Sequence, residues 1–93
     1  MPWAVKKPIA VEYFPCCDLL RWAKEHWASL PQWIVDDYNT GNIIFADNYI
    51  SINTLEGTMV AEFTDIVIRG IKGEIYPCKL EIFNESYTRG KKD

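Results

Sequence analysis

From Tyr49 the chain reads Tyr49-Ile50-Ser51-Ile52-Asn53-Thr54, then Leu55-Glu56-Gly57, then Thr58-Met59-Val60-Ala61-Glu62-Phe63, and this stretch decides the fold class. Ile50 and Ile52 fall on one side of the first run, and Met59, Ala61 and Phe63 on one side of the second, the period of two expected of strands with a buried face. Gly57 supplies a turn position open to positive φ, so the two runs form a hairpin. A second hairpin follows from Asp65. Ile66 and Ile68 point inward, Gly70-Ile71-Lys72-Gly73 turns the chain, and Glu74 to Lys79 returns. Pro77 has no N–H to donate, which places that last strand at a sheet edge or breaks it.

Working outward, residues 8–14 alternate Ile9, Val11, Tyr13 against Ala10, Glu12, Phe14 and read as a strand stopped by Pro15. The spacing predicts a helix from about Cys16 to Leu30, with Leu19, Leu20, Ala23, His26, Trp27 and Leu30 on one broad face. Asp18 near its start suits the helix dipole, and Arg21 with Glu25 makes an i, i+4 pair. Trp22 falls at the margin of the apolar arc and is the tryptophan expected to be partly exposed. Pro31 closes this helix or opens a short turn through Gln32, Trp33, Ile34 and Val35. In the middle, Asp36 to Asn48, the polar cluster Asp36, Asp37, Asn39, Thr40 and Gly41 reads as a loop, and the short apolar run Ile43-Ile44-Phe45 follows it before Asp47 and Asn48. Leu80 to Tyr87 has helical spacing, and residues 88–93 form a basic, fraying tail.

The order of elements predicts one α+β domain over residues 1–93, with an antiparallel sheet of about five strands, one main helix packed on one face and a short C-terminal helix. A chain of 93 residues closes a single core. Trp27, Phe63 and Phe83 are expected inside it; Trp3, Trp22 and Tyr76 are not.

Composition excludes several functions. A net charge of −3 argues against a general nucleic-acid binder, which pairs many Lys and Arg with phosphates. No run of eighteen apolar residues would span a membrane, and no secretory leader is evident. Three cysteines, two of them the neighbours Cys16 and Cys17, read as reduced thiols, and neither a C-x-x-C pair nor ligand spacing with His26 supports a metal. No cofactor motif appears. His26 is the one histidine and is expected half-buried in a structural role, so a Ser or Cys nucleophile lacks an evident base. Asp36 with Asp37 are adjacent and cannot both face one substrate, and Glu81 with Glu85 read as a solvated helix face. Gly70-Ile71-Lys72-Gly73 lacks the strand-to-helix setting of a phosphate loop. The chain is therefore read as a binding protein and not an enzyme.

Two binding surfaces are suggested. Arg69, Lys72 and Lys79 cluster around the second hairpin with Tyr76 among them, a set suited to a phosphate-bearing ligand or an acidic protein surface. Lys also blunts edge strands without any ligand. Trp22, with Trp3, offers an aromatic hot spot for a protein partner.

The two ends of the chain resemble a family. Lys6-Lys7-Pro8-Ile9-Ala10-Val11-Glu12 at the start, and Asp65-Ile66-Val67-Ile68-Arg69-Gly70-Ile71-Lys72-Gly73-Glu74-Ile75-Tyr76-Pro77-Cys78-Lys79 with Ile82-Phe83 and Tyr87 at the end, are similar to small proteins of tailed phages and prophages. Those begin K-K-P-V-x-V-E-A and end G-D-x-I-I-x-G-x-K-G-E-x-Y-P-C-K-P-D-I-F-x-x-T-Y. Thr64 stands where that pattern has Gly, so the turn is built without positive φ, and Leu80-Glu81 replaces Pro-Asp. The resemblance implies a phage or prophage origin and action in the cytoplasm of the infected bacterial cell, and it implies no reaction. Small phage proteins without enzyme motifs commonly act by occupying something. The expected function is an accessory protein that binds and blocks a host or anti-phage defence protein. The alternative is an oligomeric sponge that sequesters a nucleotide immune signal at Arg69, Lys72, Tyr76 and Lys79. Membrane attachment and direct nucleic-acid binding are not expected, whereas a homo-oligomer formed through a free sheet edge is consistent with either reading.

Overall fold

A computed structural model of the chain describes residues 10–87. Trp3, the start of the first strand and the basic tail therefore lie outside the described residues. In chain order the elements are β1 (Glu12–Pro15), α1 (Cys16–Glu25), a 3₁₀ turn (Trp27–Ser29), α2 (Gln32–Asn39), β2 (Ile43–Phe45), β3 (Tyr49–Thr54), β4 (Gly57–Glu62), β5 (Ile66–Arg69), β6 (Ile75–Cys78) and α3 (Leu80–Ser86). The class is α+β, as the strand and helix patterns indicate.

The strands do not form one five-stranded sheet. They divide into two antiparallel sheets of three, ordered β1-β5-β6 and β2-β3-β4. Both hairpins form where the turn residues direct. Gly57 and Gly73 take φ of +114° and +86°, which side chains with a Cβ adopt only at a cost. Thr54 locks the first turn, its hydroxyl donating to the Gly57 carbonyl at 2.8 Å and accepting from the Glu56 amide. Pro77 lies on β6, the edge of its sheet, paired with Val67.

The β1-β5-β6 sheet is covered on both faces. Val67 and Ile75 join the main core, where Leu19, Leu20 and Ile34 from the helices meet Ile43, Ile50, Ile52 and Ala61 from the other sheet. Ile66 and Ile68 point to the opposite side and pack under Phe83 of α3, with Tyr13, Tyr76 and Tyr87 around them. Strand β5 is thus apolar at three successive positions because it has no solvent side. Each such side chain contributes about 1.5–3 kcal/mol on full burial.

The break between the sheets is made by Asp65. Its amide donates to the Glu62 carbonyl at 2.8 Å, and its carboxylate accepts the Glu62 amide at 2.8 Å, which turns the chain sharply out of β4 and into β5. Thr64 sits in this turn without positive φ. The Asp65 carbonyl accepts the Cys16 amide at 2.9 Å. That bond supplies what Pro15, the residue before α1, cannot, since a proline side chain has no acceptor for the free amides of a helix start.

Four further sequence expectations are corrected. Pro15 does not stop β1 but is its last residue, paired with Ile66, and helix α1 begins at the next position. The main helix ends at Glu25 instead of Leu30, so His26 is exposed at its C-terminus and not half-buried on its apolar face. Pro31 opens a second full helix that continues to Asn39, through residues read as loop. Trp27 and Phe63 lie outside the core, at 41% and 52% exposure, while Phe83 is buried as expected.

Replacing Asp65 by Ala leaves the Glu62 amide without its acceptor, and we expect a loss of about 2 kcal/mol in stability, measured by urea unfolding. A loss below about 0.5 kcal/mol would show that the turn holds without the carboxylate.

Candidate functional site

The cations singled out from sequence are spread from the tip of the second hairpin to the far end of β6, and two of the three are paired. Arg69 lies opposite Glu12 in the β1–β5 ladder and binds its carboxylate at 3.0 Å, while the Trp33 indole donates to the other Glu12 oxygen at 3.3 Å. Lys79 reaches Glu62 at 2.7 Å and Asp65 at 3.3 Å. Lys72 is exposed at the tip of the second hairpin with no ion pair among the described residues. Tyr76 lies opposite Ile68 and so faces α3, whereas Arg69, one position beyond Ile68, points to the other side. Burial, and then a hydrogen bond with Tyr87, pushes the Tyr76 hydroxyl well above its usual range. These four residues do not converge on one ligand.

Trp22 is half-buried. Its ring meets Phe14 edge-on at 5.6 Å, and Phe14 in turn packs at 6.0 Å from Trp33, so this cluster closes one flank of the main core. The more exposed tryptophan is Trp27, and it belongs to a second cluster that sequence did not single out. Trp27, Tyr38 and Phe45 form a triangle with ring centroids 5.1, 5.9 and 5.5 Å apart. They line a groove of about 660 Å³ between the end of α1, the end of α2 and strand β2. Lys24 and Asp47, 3.8 Å apart, stand on its rim. Spacings of 11 and 7 residues across three elements leave no periodic trace of such a triangle. The one cue was Trp27 itself, which becomes surface once the helix breaks at His26.

A second concavity of about 540 Å³ lies between β1, the start of α1 and the β4–β5 turn, with Phe63 and Leu80 on its wall. Cys17 borders it. The Cys16 thiol is buried, donates to the Ala61 carbonyl at 3.4 Å, and has its pKa pushed up to about 12, first by burial and then by Asp65. It is held as an uncharged thiol that joins α1 to β4. Burial also raises the Cys78 thiol, with Asp65 adding to the effect. All three cysteines are free. Asp37 is likewise raised by burial and by neighbouring Asp36.

No three His, Cys, Asp or Glu side chains are grouped for a metal ion among the described residues, and no helix there is long and apolar enough to cross a membrane. The sequence matches no protein-family model, and no curated protein or solved structure is detectably similar to it.

The Glu62–Lys79 pair gives a pH dependence. Lys79 holds the Glu62 carboxyl below its usual range, so that contribution is present above the normal Glu pKa of about 4.3 and is lost as pH falls through the depressed value. Glu62 and then Asp65 raise Lys79, so its contribution is present below the normal Lys pKa of about 10.4 and is lost as pH rises through the raised value. Thermal melts should therefore show Lys79→Met less stable than wild type near neutral pH, with the two converging in acid. A gap that persists undiminished below about pH 2, where carboxylates are protonated, would contradict this.

Proposed function

We propose that the chain is a non-enzymatic accessory protein of a tailed phage or prophage that attaches to a host or anti-phage defence protein in the bacterial cytoplasm and blocks it. The observation that carries the reading is the aromatic triangle of Trp27, Tyr38 and Phe45, in which Trp27 and Tyr38 are exposed and the half-buried Phe45 ties them to the core. Exposed tryptophan and tyrosine held rigid by mutual packing lose little entropy on binding, and such residues dominate the energy of protein interfaces. The phage origin rests on the resemblance of the chain's two ends.

Two further observations support binding over chemistry. His26 stands exposed at the end of α1 with no hydrogen-bonded carboxylate or thiol among the described residues, a poor setting for a general base. Cys16, the most protected thiol, is held protonated, whereas a nucleophile needs the thiolate. The nucleotide-sponge alternative draws less support, because Arg69 and Lys79 already satisfy carboxylates and Tyr76 faces α3. A phosphate would have to displace both ion pairs.

The test is affinity capture from bacterial lysate with wild type, Trp27→Ala and Lys72→Ala, each checked for native folding by circular dichroism. We expect a specific host protein to be retained by wild type and by Lys72→Ala and lost with Trp27→Ala, a truncation worth about 2 kcal/mol or more at a hot spot. Equal retention by wild type and both variants would exclude the groove. A rise in melting temperature with a cyclic or linear nucleotide, abolished in Lys72→Ala, would favour the alternative.

A further inference from the structure

Among the described residues, two three-stranded sheets leave four edges: β1, β6, β2 and β4. Three are poor templates for another strand. β6 carries Pro77, β1 ends on Pro15 and bears the charge of Glu12, and β2 is three residues long with Ile43 fully buried against the helices. β4 differs. Its six residues contain no proline or lysine, and Thr58, Met59 and Val60 are all exposed.

The ladder shows which backbone groups on β4 are open. Asn53 donates to the Asn42 carbonyl and Ala46 to the Tyr49 carbonyl, so the odd-numbered residues of β3 bond to β2. By the alternation of antiparallel pairs, the even-numbered residues of β3 bond to β4 through Gly57, Met59 and Ala61. Thr58, Val60 and Glu62 therefore direct their N–H and C=O away from β3. Asp65 satisfies both groups of Glu62. The donors and acceptors of Thr58 and Val60 remain, on a side where no strand is hydrogen-bonded among the described residues.

We propose that this edge pairs with a second copy of the same chain, antiparallel and about a two-fold axis through Met59. The register follows from the open groups. Thr58 meets the partner's Val60 and Val60 meets the partner's Thr58, each pair exchanging two hydrogen bonds, so four open donors find four open acceptors and none is left over. Met59 then stands opposite the partner's Met59 in the close, non-hydrogen-bonded position. Extending the same register sets Leu55 against the partner's Phe63. Leu55 is wholly exposed and Phe63 is 52% exposed, and neither packs in either core cluster. The like charges that this brings near one another are Glu56 and the partner's Glu62, at the ends of the paired segment, where Lys79 already neutralises Glu62. The result is one six-stranded sheet across two molecules. It needs neither the aromatic groove nor any host partner.

Sedimentation of the full chain over a range of concentrations tests this, with Val60→Lys as the edge-blocking variant and Ile44→Lys, on the far edge strand of the same sheet, as the control. Wild type and Ile44→Lys should reach twice the monomer mass as concentration rises, and Val60→Lys should stay monomeric with an unchanged circular dichroism spectrum. The register is tested by Met59→Cys in a Cys17→Ser, Cys78→Ser background: oxidised glutathione should convert it to a disulfide-linked dimer, and an Ile44→Cys counterpart should remain monomeric. A wild type that is monomeric throughout would overturn the proposal. So would a Val60→Lys that dimerises like wild type, or an Ile44→Cys that cross-links as readily as Met59→Cys.

Discussion

Asp65 is where the two sheets, the first helix and the last helix are joined. Its carboxylate accepts the Glu62 amide at the end of β4, while its amide and carbonyl bond to Glu62 and to the start of α1 at Cys16. Lys79, which immediately precedes α3, comes to the same carboxylate oxygen. A buried carboxylate is expensive unless it is hydrogen-bonded and paired, and here a single oxygen, Oδ2, both fixes a chain reversal and anchors a lysine. Without that reversal β4 would run on, and the two hairpins would have no reason to separate into two sheets.

The rest of the surface follows from that separation. Because the β1-β5-β6 sheet turns away, α3 can cover its outer side, and β5 becomes apolar on both faces. The β2-β3-β4 sheet keeps helices on one side only, so β2 and the ends of α1 and α2 meet in the groove lined by Trp27, Tyr38 and Phe45. The same turn closes the open edge of β4 at Glu62 and leaves Thr58 and Val60 beyond it. One polar corner thus positions both the aromatic groove and the free edge.

Much of this was legible in local pattern. The hairpins were readable because Gly57 and Gly73 mark positions of positive φ between alternating runs, and the edge position of β6 because Pro77 has no N–H. The long-range choices were not. Whether six short strands make one sheet or two depends on a side-chain bond from Asp65 to the residue three before it, and Asp in that place reads as ordinary turn chemistry. The helical period carries on through Trp27 and Leu30 although the backbone breaks at His26, and Gln32–Asn39, with Asp36 and Asp37 in its middle, is too short and too polar to separate from a loop by periodicity. Arg69, Lys72, Tyr76 and Lys79 are close in sequence, but alternation sends neighbours to opposite faces, and the acids that pair Arg69 and Lys79 come from as far as 57 residues away. Trp27, Tyr38 and Phe45 meet only in the folded chain.

Native-state hydrogen exchange, read residue by residue at low protein concentration, tests the central role of this corner most directly. Glu62 and Cys16 lie at the ends of elements, where amides ordinarily fray, yet both donate to Asp65. Their amides should exchange only through global unfolding, as slowly as those in the middle of β5. Exchange of either amide at the rate of the exposed hairpin tip around Leu55 would contradict it, since the corner would then open independently of the core.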